Sequence, residues 1–145
     1  MKKLLILSGV AALLIAASLS VVQAQKANKD VIYASAADAT FKPSPSGGGV
    51  SMAALWGDSD KGAHGTFTKF APGYDAGMHS HTSDIWIVVI KGAYLYKDEA
   101  GEKRVGPGDF LRVAGGHKHW SGGDKKEGAL FYEEGSAKFD SVPAK

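Results

Sequence analysis

Four of the five histidines fall in two His-x-His pairs, His79-Ser80-His81 and His117-Lys118-His119. Imidazole nitrogens coordinate zinc, copper, iron and nickel. In an extended strand, side chains two residues apart point to one face, so each pair can present two rings to a single point. If the chain folds back until the pairs meet, the chemistry on offer is that of a metal ion held by histidine. The competing reading of a His-x-His on a strand is a polar outer face without metal. His64, beside the Gly62-Ala63 turn, is expected at the surface with no role.

The segments that must position these rings read as short strands bounded by turns. Met52 to Trp56 precedes a turn running from Gly57 to Gly62, and Gly65 to Ala71 stops at Pro72-Gly73. Ile85 to Tyr96 is the longest apolar run after the N-terminus, and its β-branched and aromatic content favours strand over helix. Gly92 inside it marks a bend where the strand changes sheets. Lys97 to Lys103 is a charged hairpin loop, Gly106-Pro107-Gly108-Asp109 turns the chain into Phe110 to Val113, and Leu130 to Tyr132 lies in a last strand. Short strands at regular spacing are the sign of an all-β sandwich or barrel. Residues 25–50 form a lead-in with a short candidate strand at Val31-Ile32-Tyr33 and a Pro, Ser and Gly loop from Pro43 to Gly49. The tail from Ser136 is a cap of undefined form.

The N-terminus reads as a secretory signal peptide over residues 1–24. Lys2 and Lys3 precede an apolar run from Leu4 to Val22, and Val22-Gln23-Ala24 resembles a small-x-small cleavage site. A retained membrane anchor is the competing reading, since the run approaches the roughly 20 residues of a spanning helix; Ser8, Gly9, Ser18 and Ser20 dilute it and favour cleavage. The expected location is periplasmic or secreted, with no membrane contact once the signal is removed. Of the 17 basic residues two lie in the signal, which leaves the mature chain balanced against its 15 acidic residues. That excludes the concentrated basic face of a nucleic-acid binder. With no cysteine, an exported domain of this size depends on its apolar core, helped by a metal or by self-association.

Gly73, five residues, His79, one residue and His81 match the opening of the first cupin motif, and Gly92 stands where that motif closes. Gly108, five residues, then Ala114, Gly116 and His119 follow the second motif, with alanine for its proline and Gly123 for its terminal asparagine. Residues 52 to 133 thus resemble a cupin. The phrase Trp56-Gly57-Asp58 is similar to the regulatory branch attached to anti-sigma factors. The resemblance implies a single-domain jelly-roll barrel over residues 51–145, closed around a divalent metal (Zn, Fe, Mn, Cu or Ni) held by His79, His81 and His119. It also makes a homodimer plausible. The family's glutamate should fall near Ile85 or Trp86, and neither can ligate. Three replacements stay open: His117, on the face of His119; Asp84, the nearest carboxylate; or water, with no fourth protein ligand. Three protein ligands would leave an open, exchangeable position, whereas four would close it.

Trp86, Met78 and Trp120 are candidate pocket walls, although aromatic residues beside a small barrel more often fill core volume. Glu133, Glu134, Tyr132, Lys69 and Arg112 are polar groups whose direction needs a register; any that faces inward is a candidate acid, base or anchor. Two functions follow for an unnamed small molecule. One is a binding or sensing domain, favoured by the missing glutamate; the other is a metal-dependent enzyme of the dioxygenase or isomerase type. A barrel kept for structure alone is a third.

Overall fold

Burial along Ile85–Gly92 alternates as it must in a strand with one face on a core: Ile85, Ile87 and Val89 are at most 3% exposed, whereas Val88 and Ile90 are 36% and 39% exposed. Their β-branched side chains suit a pleated, half-buried surface. A computed structural model of the chain describes residues 31–44 and 47–144. The signal peptide expected at residues 1–24 lies outside the described residues.

The strands are β1 (Lys42–Pro43), β2 (Val50–Gly57), β3 (His64–Phe70), β4 (Asp75–Ser80), β5 (Ile85–Gly92), β6 (Tyr94–Asp98), β7 (Gly101–Val105), β8 (Phe110–Val113), β9 (His119–Gly123), β10 (Ala129–Gly135) and β11 (Val142–Pro143). No helix occurs among the described residues. Two sheets form, in the orders β1-β2-β3-β10-β5-β8 and β11-β4-β9-β6-β7. Every pairing is antiparallel. The apolar run from Ile85 to Tyr96 serves both sheets, as β5 in one and β6 in the other, and the change falls at Gly92 and Ala93. Gly92 has φ of 71°, and a Cβ there would sit 2.3 Å from the carbonyl oxygen of Gly128. Only glycine meets both conditions.

Between the sheets lies the core, which includes Ile85, Ile87, Val89, Tyr94, Val113 and Phe131. Phe131 is fully buried, with Phe70 and Tyr94 edge-on to its ring at centroid distances of 5.0 and 5.2 Å. Burying such a ring stabilises the fold by roughly 1.5–3 kcal/mol.

The jelly roll is present, but the closed barrel expected from the sequence is not: the two sheets face each other without joining edge to edge. Of the four end strands, β1 and β11 have only two residues each, and neither β8 nor β7 pairs across to the other sheet. Val31, Ile32 and Tyr33 form no strand and are 63% to 89% exposed, because nothing pairs with them. The tail does take a defined form. Its β11 pairs with β4 at His79 and Ser80 and so runs beside the first histidine pair.

Candidate metal centre

β4 and β9 are neighbours, and their register sets His79 directly opposite His119. Opposite residues of an antiparallel pair share a face, so both rings enter the space between the sheets. An irregularity between Asp75 and Met78 sets this register; there Gly77 has φ of 70° and its N–H donates to Asp75 Oδ1 over 2.8 Å. His81, one residue past β4, joins them. The ring centroids are 4.3 Å apart for His79 and His119, 5.0 Å for His79 and His81, and 5.4 Å for His81 and His119. One nitrogen from each ring lies within 4.8 Å of the other two, and all three residues are buried. Nitrogens sharing a tetrahedral ion at ~2.1 Å stand about 3.4 Å apart, so closing on a metal takes less than ~1 Å of movement per ring.

The backbone sets the tautomer of each ring. His79 Nδ1 lies 2.9 Å from the Gly77 carbonyl oxygen, His81 Nδ1 2.5 Å from that of Asp140, and His119 Nδ1 3.1 Å from that of His117. A carbonyl only accepts, so each Nδ1 carries the hydrogen and each Nε2 keeps its lone pair. The Nε2 of His119 is buried with no hydrogen-bond partner. An orphaned acceptor of this kind costs free energy unless something coordinates it. Burial lowers the pKa of His119 to about 4 and also depresses His81, so both rings are neutral and ready to coordinate near pH 7. The donor set therefore fits a divalent ion of the kind imidazole prefers.

The other sequence candidates stand elsewhere. His117 lies in the turn before β9; its Nε2 is 3.1 Å from Asp98 Oδ2, an oxygen that also accepts from Tyr96 Oη. It is not one of the three converging rings. Tyr96 in turn stacks on His119 at 5.5 Å, so this network braces the centre from behind. Asp84 is engaged by other partners: its carboxylate accepts from the Gly115 N–H at 2.8 Å and from Arg112 Nη2 at 2.6 Å, and these bonds hold its pKa below the usual carboxylate range. Met78 and Trp120 face outward and line a surface groove with Leu95 and Tyr96. Trp86 lies between the inward-facing Ile85 and Ile87 and so projects from the opposite face of β5. None of the three lines the histidine cavity.

His64 corrects the expectation of a surface residue. It is 1% exposed, its Nδ1–H donates to the Gly62 carbonyl over 2.9 Å, and Phe139 of the tail stands edge-on to its ring. Gly135 makes the room, since a Cβ there would lie 2.3 Å from His64 Cε1.

The family model of the ChrR cupin-like domain matches residues 29–138. This chain belongs to that family of cupins. Solved structures with the same fold include the polyketide cyclase RemF from Streptomyces resistomycificus, at TM-score 0.64 and 16% identity over 79% of this chain and 86% of that one. KdgF from a Halomonas species matches at 0.56 and 19%, over 70% of this chain and 90% of that one. Rhodobacter sphaeroides SigE in complex with the anti-sigma ChrR matches at 0.54 and 20%, and there the cupin covers 70% of its own length and 51% of the other chain. At such identities the likeness is one of fold. No curated protein matches the chain.

In this cupin, of the two positions near which the motif glutamate is expected, Ile85 points inward and is 3% exposed, and Trp86 projects from the other face. A different carboxyl enters the interior. Glu133, on β10, is 5% exposed and shares with His79, His81 and Ile85 the wall of a cavity of about 520 Å³. Its register neighbours are Thr66 on β3 and Ile87 on β5. Burial alone raises its pKa to about 7. The alternation along β10 carried the signal: an inward Phe131 places Glu133 on the same face and Glu134 on the other.

Proposed function

We propose that this cupin binds a divalent metal ion through the Nε2 atoms of His79, His81 and His119 and uses the adjoining cavity to bind a small molecule. The observation that carries the metal is the convergence of three buried rings whose Nδ1 atoms are all committed to carbonyls. Bound there, the metal would supply a Lewis-acid point for an oxygen ligand. The 520 Å³ cavity beside it falls within the size range of small-molecule sites. Among the described residues no fourth ligating group joins the three histidines, which supports an exchangeable position.

Binding or sensing is the primary reading. Metal-dependent catalysis of a dioxygenase or isomerase type is the alternative, and a single observation favours it: Glu133, with its pKa near 7, has the character of a general acid or base. The basic, apolar N-terminus with its small-x-small site supports export. Elemental analysis of protein purified without a polyhistidine tag tests the central claim: close to one equivalent of a transition metal is expected, and less than about a tenth would leave a structural domain. N-terminal sequencing of secreted material tests export, and an intact Met1 in the membrane fraction would reverse it.

A further inference from the structure

Glu133 is the one carboxyl-bearing side chain in the buried set of described residues. Burial raises its pKa, and among the described residues no hydrogen bond or opposite charge offsets that shift. Thr66, its register neighbour on β3, shares a hydrogen bond with Thr68 over 3.0 Å. A buried carboxylate without a donor is costly, and proteins ordinarily supply a cation or several N–H groups. Among the described residues no lysine or arginine lines this cavity, whereas Glu133, Asp60 and Asp140 all do. The cavity wall thus supplies no cation to the carboxyl and leaves it open to a partner from outside.

We infer that Glu133 is a second anchor in the cavity, one that selects a small cationic or neutral ligand carrying an ammonium or hydroxyl donor and rejects anions of the same shape. This rests on the metal-and-cavity reading above and adds the ligand's charge class to it. The ligand presents an oxygen toward the three histidines and its donor toward β10. Val50, Met52, Phe70 and Phe139 supply apolar wall between the two ends, which suits a ring or short hydrocarbon linker. A free dicarboxylate or phosphate ester is disfavoured, because only the metal end of the cavity offers it a positive charge.

Three probes separate the possibilities, each titrated by calorimetry into cobalt-loaded full-length protein at pH 8. Phenol carries the oxygen alone, tyramine adds an ammonium at the far end, and 3-(4-hydroxyphenyl)propionate puts a carboxylate in that place. Tyramine is expected to bind at least about tenfold more tightly than the propionate, the scale of a hydrogen bond to a charged group. In Glu133→Gln that preference should fall below about threefold, while the cobalt absorption spectrum stays unchanged and shows the metal site intact. Glu133→Leu carries the same comparison if the glutamine variant does not fold. Equal binding of tyramine and the propionate by the unmodified protein, or a preference that survives in the variants, would overturn the inference and leave the cavity reading standing. If phenol itself fails to bind, the small-molecule reading fails and the inference goes with it.

Discussion

Replacing Glu133 by glutamine in the metal-free protein is expected to raise stability above pH 7 and to change it little near pH 4. Burial moves this carboxyl from 4.5 to about 7 in the folded protein. Its folded-state pKa is thus higher than its unfolded one, and between the two values the unfolded chain has released a proton that the folded chain still holds. Stability of the wild-type protein must then fall as pH rises through this window and level off above it. At 1.36 kcal/mol for each pH unit crossed, the loss is about 3 kcal/mol. The glutamine variant has no such term. Other ionisable groups on the cavity wall, His79 on β4 and His81 just past it, Tyr74, Tyr94 on β6, and Asp60 and Asp140, are present in both proteins and cancel in the difference to first order. Urea unfolding of both proteins in chelator, at half-unit steps from pH 4 to 9, measures that difference directly. Two stability curves that run parallel across the range would refute the reasoning, because the carboxyl would then be hydrated or paired when folded.

Further expectations follow from the centre and from the fold. His119→Ala should reduce bound metal at least tenfold, whereas His117→Ala should leave affinity within about twofold, since it keeps the carbonyl that orients His119 and loses only the ring held by Asp98; equal losses in metal titration would make His117 a ligand after all. Asp140 holds the tail to the end of β4 by accepting from the Thr82 N–H at 2.8 Å and from the Thr82 hydroxyl, and its carbonyl orients His81. Asp140→Ala should therefore weaken metal binding by about tenfold and shift the cobalt spectrum, an outcome that a purely structural tail contact would not produce. Gly92→Ala combines a left-handed backbone with a Cβ placed 2.3 Å from the Gly128 carbonyl, so a loss of at least ~2 kcal/mol is expected in thermal unfolding. An unchanged midpoint would mean that the sheets can shift at this crossing.

Much of this molecule is written in local pattern. Strand-forming residues at Met52–Trp56, Gly65–Ala71, Ile85–Tyr96 and Phe110–Val113 all lie in or overlap strands, and glycine at position 92 does mark the passage between sheets. Period-two alternation and glycine punctuation are properties of a few adjacent residues, and so they survive without knowledge of the partners. Closure of the barrel was not of that kind. It depends on whether end strands pair across the two sheets, and they do not.

What the amino-acid order determined alone was the all-β class, the two histidine pairs and the strands that carry them into a cupin arrangement. Tertiary structure decided which ring of the second pair turns inward. His117 and His119 are alike in sequence, but Asp98, about twenty residues earlier, captures the first, and register with β4 buries the second. It also decided that Arg112 and Gly115 engage Asp84, that Phe139 covers His64, and that Glu133 rather than Glu134 enters the cavity. Each of these outcomes rests on a strand register or on a partner far along the chain. One residue of slip would turn every such side chain to the opposite face, and only the packed sheets prevent it.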